Sequence, residues 1–280
     1  HNAGTAFTDN AHNIAIGETA LDAAAAGEHM NIAIGVGALS TENSNAAGCV
    51  AVGHRALEDQ NVASANNVAV GYNAAYNLTS GTDSVYVGYQ AGGVGVITGN
   101  DNVVIGKGAG FNATGMLNAV LIGKGAGGTG IITGANNVCV GLAAGNDLAA
   151  GANNILIGTN AGTEITAGTD NIVIGTAAFD AGELATARHY NVAIGHAAMG
   201  AQTTAVSYCV AVGHSALILQ NADVKNTAIG GLAGDAIVGG DKNTYVGYLA
   251  GSASVGTDDN TAVGNLAYAN GTGASNTCVG

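Results

Sequence analysis

Proline is absent from this chain of 280 residues, and so is tryptophan. Only 9% of residues are charged, and no more than six of those are basic. Each shortage excludes something. Proteins carry roughly 5% proline on average, so its loss points to a backbone whose amides are nearly all committed to ladders. Six lysines and arginines against nineteen carboxylates leave a net charge of −13. A surface of that sign repels phosphate backbones and anionic lipid, so nucleic acid is excluded as a partner. No stretch approaches the ~18 consecutive apolar residues of a membrane span, so membrane insertion is excluded too. Against these shortages stand 47 glycines and 48% hydrophobic residues, too many of the latter for a disordered glycine-rich linker.

The glycines are ordered. The phrase Asn-Ile-Ala-Ile-Gly ends at Gly17 and returns, with variation, at Gly35, Gly53, Gly71 and onward to Gly280, sixteen times in all. Thirteen of the fifteen spacings are 17 or 18 residues, and alanine stands three residues after every phrase glycine but the last. A fixed period of this length means stacked coils, read as one solenoid domain over residues 1–280. The chain opens on His1 and stops at Gly280 partway through a repeat, so a piece of a longer protein is expected.

The columns of the repeat describe the coil. The residue before the glycine is Val or Ile in all sixteen copies; two residues earlier it is Val or Ile twelve times, then Thr227, Thr244, Thr261 and Thr277. This period of two predicts a short strand with these β-branched residues turned inward. A weaker apolar run, such as Gly-Val-Ile-Thr-Gly at 95–99, predicts a second short strand in each coil. Asn opens twelve of the phrases; it tolerates turns and can stack into a side-chain ladder. By alternation the middle residue of the strand should face out, yet none of the sixteen is charged. Tyr86, Val104, Leu121, Cys139, Leu156, Val173 and Tyr245 belong to this column. An apolar stripe along a solenoid needs cover, and copies of the same chain are the simplest cover, so this column is the expected oligomer interface.

The phrases Asn-Ile-Ala-Ile-Gly-Val-Gly-Ala-Leu (31–39) and Asn-Val-Ala-Val-Gly-Tyr-Asn-Ala-Ala (67–75) resemble the head repeats of trimeric autotransporter adhesins and the related repeats of phage tail fibres. The resemblance covers essentially the whole chain. It implies an all-β, left-handed parallel β-roll of about sixteen coils of 17–18 residues and a homotrimer. It also implies an extracellular place on a cell surface or virion, and attachment to a host-surface glycan or protein.

Other chemistries fit less well. A hexapeptide acyltransferase needs aliphatic residues six and twelve positions after Ile16, where Asp22 and Glu28 stand. An ice-binding solenoid would show regular Thr-x-Thr ranks, and the four threonines of the last coils are assigned to an inward column. The Gly-x-Asp-x-aliphatic core of calcium nonapeptides occurs at Asp101 and Asp170, but Lys225, Lys242, Tyr190 and Met30 interrupt that column. No disulfide framework is expected of Cys49, Cys139, Cys209 and Cys278, which stand coils apart. No nucleophile and base pair up, so neither an enzyme nor a cofactor is expected. Recognition is expected in the columns that vary. One is the position after the phrase glycine, with His54, Tyr72, Tyr89 and Lys107; the other is the 20-residue coil, whose insertion carries Glu183, Arg188 and His189.

Overall fold

The computed structural model describes residues 3–4, 12–22, 29–41, 47–61, 65–180, 188–202, 206–221 and 225–280. It divides into two compact units, His1–Val140 and Gly141–Gly280. Among the described residues the first holds eight three-residue strands, from β1 (Ile14–Ile16) to β8 (Val138–Val140), and the second eight more, from β9 (Ile155–Ile157) to β16 (Thr277–Val279). Within each unit consecutive strands pair in parallel and in register, Ala33 beside Ala51 and Ala51 beside Ala69 in the first, Ile172 beside Val192 in the second. Among the described residues there is no helix. Each unit is an all-β parallel solenoid.

The phrase glycine ends the strand for a steric reason. Gly53 has φ +137, and a β-carbon there would lie 2.4 Å from the carbonyl oxygen of Gly71 in the next coil. Only glycine combines that backbone angle with that approach. Beyond it the chain keeps bonding to its neighbours through the turn. Arg55 N–H donates to Val36 O at 2.9 Å, and Leu57 N–H to Ala74 O at 3.1 Å. The amides of turn and strand alike are spent on the adjacent coils, which is why proline has no place.

The facing of the strand is the reverse of the expectation. Tyr86, Val104, Leu121, Cys139, Leu156, Val173 and Tyr245, assigned to an exposed oligomer interface, are wholly buried inside their own coils. They have no surface to offer a second chain. The Val, Ile and Thr residues on either side of them point outward, half-buried to exposed. A three-residue strand has two faces but no phase, so alternation identifies the columns without saying which is inside. Volume decides it. Where the middle residue is Ala, as at Ala33, Ala51 and Ala211, the residue four past the phrase glycine is a buried Leu39, Leu57 or Leu217. Where it is Tyr86, Leu121, Leu156 or Tyr245, that residue is Gly92, Gly127, Gly162 or Gly251, with the large side chain 2.6–3.2 Å from where a β-carbon would be. The two positions share one core volume. Three pairs depart from the rule: Val173 with Phe179, both large and buried, and Ala69 with Ala75 and Ala228 with Gly234, both small.

The second half of the coil forms no regular strand among the described residues; only isolated bridges such as Leu78 to Ile97 and Leu117 to Ala135 appear there. Its apolar residues still reach the core through Ile97, Ile132 and Ile237. The asparagines do form the expected ladder. Buried Asn67 accepts from Ser84 N–H at 2.9 Å and donates to Gly81 O and Gln60 Oε1 at 2.8 Å. Asn154, Asn171 and Asn191 continue the pattern in the second unit, each Oδ1 taking the backbone N–H of the next coil's residue.

Candidate interaction surface

Turning the β-branched residues outward gives each unit a ribbon of two parallel ranks. In the first unit the ranks run from Ile14 and Ile16 to Val138 and Val140, aliphatic at every position. In the second they begin at Ile155 and Ile157 and change to Thr227, Thr244, Thr261 and Thr277 in one rank only. At ~4.8 Å per strand and two ranks, eight strands make a strip roughly 34 Å long and 10 Å wide. Patches of this size on a water-facing surface mark interaction sites.

Two columns border the strip. The upstream margin is the residue two before each strand, held in the left-handed region: Asn66 (φ 47), Asp83 (φ 56), Asp101 (φ 59) and Asn118 (φ 53) in the first unit. Asn and Asp tolerate this conformation better than other L-residues. Their side chains link along the axis, Asn66 Nδ2 donating to Asp83 Oδ1 at 3.0 Å and, in the second unit, Asn153 Nδ2 to Asp170 Oδ1 at 3.1 Å. Asp83 is held below the usual carboxylate range by its hydrogen bonds from Thr82 and Asn66. Among the described residues no group of three His, Cys, Asp or Glu could hold a metal.

The downstream margin is the residue after the phrase glycine, and it brings together four of the expected recognition residues. His54 and Tyr72 stack with ring centroids 5.0 Å apart and planes 8° from parallel; Tyr72 and Tyr89 follow at 5.4 Å and 10°. Lys107 Nζ lies 5.6 Å from the Tyr89 centroid, within reach of a cation–π contact. All four are exposed. The stacking consumes the ring faces, so this ladder offers edges and hydroxyls in a row and no open platform for a sugar ring.

The insertion behaves otherwise. Glu183 lies outside the described residues. Arg188 is no surface residue: it is wholly buried, its guanidinium carbon 5.1 Å from the Phe179 ring centroid, and burial pulls its pKa down. His189 is half-buried and local in its bonding, its Nδ1 accepting from Thr169 N–H at 3.1 Å. Exposed there instead is a pair the sequence reading passed over, Tyr190 stacked on Tyr208 at 5.0 Å and 19°. Both occupy the upstream margin, and their position two before the strand was the available signal. His196 and His214 form a further stack on the downstream margin, at 5.3 Å and 6°.

Comparison with protein families, curated proteins and solved structures finds no match.

Proposed function

We propose that the chain is a structural segment of a homo-oligomeric fibre, of the kind its repeats resemble: a left-handed β-roll that assembles as a trimer and holds attachment surfaces away from a virion or cell. The observation that carries this reading is the outward ribbon of β-branched residues, Val and Ile throughout the first unit and with Thr in one rank over the last four coils of the second. It is uncharged although the chain carries −13, and repetition of one phrase keeps it apolar coil after coil. A strip that regular is covered most simply by the same strip of another copy. Every inner column is constrained by volume or hydrogen bonding, so contacts with a host glycan or protein fall to the margins, at the exposed edges of His54, Tyr72 and Tyr89. In this reading the chain has no catalytic role and needs no cofactor.

Sedimentation of the purified 26.9 kDa chain tests the assembly. A concentration-independent trimer is expected, and a monomer throughout the micromolar range overturns it. Attachment of that material to host cells or arrayed glycans, compared with the Tyr72→Ala, Tyr89→Ala double variant, tests the margin. Loss of roughly 1–2 kcal/mol of binding per anchor is expected of a recognition site; unchanged attachment assigns recognition to another part of the fibre.

A second reading draws on the ranks themselves. The threonines at 227, 244, 261 and 277, expected inside, stand on the outward rank. The objection that they are hidden from an ice surface therefore falls. A regular, uncharged array of β-branched side chains is a surface on which water can order, and thermal hysteresis of the monomeric chain is the measurement that would favour it.

A further inference from the structure

Over the coils from Val85 to Ile122 the two margins of the first unit's apolar strip carry opposite charge, although Glu18 stands at the start of the downstream margin. Upstream stand Asp83 and Asp101, on adjacent coils; downstream stand Lys107 and Lys124, also on adjacent coils. All four are exposed. Among the described residues none of them forms an ion pair within the chain; Asp83 is engaged by Asn66, and Lys107 lies over Tyr89. Asp101 and Lys107 lie beyond opposite ends of one coil's three-residue strand, Val103–Ile105, which spans about 10 Å. A basic margin is notable on this chain, since its six lysines and arginines must serve all 280 residues.

We propose that Asp83 and Asp101 on one margin, and Lys107 and Lys124 on the other, are the mutual recognition elements of a parallel contact between copies of this chain. The inference rests on the self-assembly reading above and adds which residues orient the contact. In a closed assembly with parallel axes, the three copies of the reading above included, the upstream margin of each copy lies along the downstream margin of the next. Closed symmetry keeps the coils level. Lys107 then faces Asp101 and stands one strand spacing, ~4.8 Å, from the level of Asp83, while Lys124 stands the same step from Asp101. With the axes antiparallel, like margins meet and the coil order reverses, so no lysine faces a carboxylate: with the strips fully overlapped Lys107 lies level with His54, and Asp83 with Asn66. The aliphatic ranks are indifferent to direction; the charges are not.

Charge reversal tests this on the full chain. Asp83→Lys with Asp101→Lys makes both margins basic; Lys107→Asp with Lys124→Asp makes both acidic. The quadruple variant exchanges the signs and restores complementarity. Sedimentation across a dilution series at low and high salt reads the dissociation constant, and circular dichroism checks folding. Each double variant is expected to dissociate at least tenfold more readily than the parent at low salt, with the difference shrinking as salt rises. The quadruple variant is expected to return to within about threefold of the parent. If parent, double and quadruple variants associate alike, the margins do not orient the contact, although self-assembly stands. A quadruple variant no better than the doubles overturns the pairing as well. A parent that is monomeric, whether it binds nothing or halts the growth of ice, overturns both this proposal and the reading on which it rests.

Discussion

Gly92 sits where a β-carbon would lie 2.7 Å from Cδ1 of Tyr86. The large ring on the strand and the missing side chain in the turn are one packing decision, made in reverse at Ala51 and Leu57. Exchanging the pairing should therefore be tolerated where its halves are not. Gly92→Leu alone overfills the site and should cost about 3 kcal/mol; Tyr86→Ala alone leaves a cavity and should cost about 3–5 kcal/mol. The double variant rebuilds an Ala and Leu coil at a position whose φ of +60 resembles the +50 of Leu57. A coupling energy of 2 kcal/mol or more is expected from denaturant unfolding of the four chains. Additive losses would mean the two sites do not share volume.

Gly71 offers a harsher test. Its φ is +138, and a β-carbon there would meet the Gly88 carbonyl oxygen at 2.4 Å. Gly71→Ala must push two coils apart or change the turn, and a loss of about 3–5 kcal/mol is expected. Gly108 has open space around it, so Gly108→Ala should cost only about 1 kcal/mol, the ordinary penalty of a left-handed alanine. Equal losses at the two sites would remove the close-approach argument.

The asparagine ladder predicts its own pH signature. Asn67→Ala leaves Ser84 N–H, Gly81 O and Gln60 Oε1 without their partner in the core, and about 2–4 kcal/mol should be lost. Asn67→Asp keeps the acceptor but places a carboxylate against two buried oxygens. Its folded pKa is expected to rise above the unfolded value, so the penalty should grow as pH climbs through the carboxylate range toward neutrality. Thermal melts of the two variants at pH 4 and pH 7 read this directly: the alanine variant's loss should be nearly the same at both.

The thiols should divide by burial. Cys49, Cys139 and Cys209 are buried, while Cys278 is partly exposed. Burial pushes the Cys139 thiol up to about 12, so it holds almost no thiolate at neutral pH. A disulfide reagent at pH 8 should modify Cys278 first and the other three only on unfolding. Fast modification of Cys139 in the native chain would show that its coil opens.

Much of this fold is written in the repeat. Period, strand, glycine turn, inner alanine and asparagine ladder could each be read from the columns, because each reflects a local requirement that recurs from coil to coil. The missing proline likewise announced a backbone bonded at strand and turn. The stacked column His54, Tyr72, Tyr89 and Lys107 was legible too, since residues one period apart become neighbours in a solenoid. Which face of the strand is inside was not legible from alternation, because three residues define two faces without naming either. The reciprocal sizes of Tyr86 and Gly92, or of Ala51 and Leu57, held that answer, but only once packing showed that strand and turn meet in the same volume. Arg188 is the opposite case: as a charge beside an insertion it reads as surface, and only the packing of its coil against Phe179 places it in the core. Local repetition sets what each column is made of. Side-chain volume, summed across the coil, decides which columns water can see.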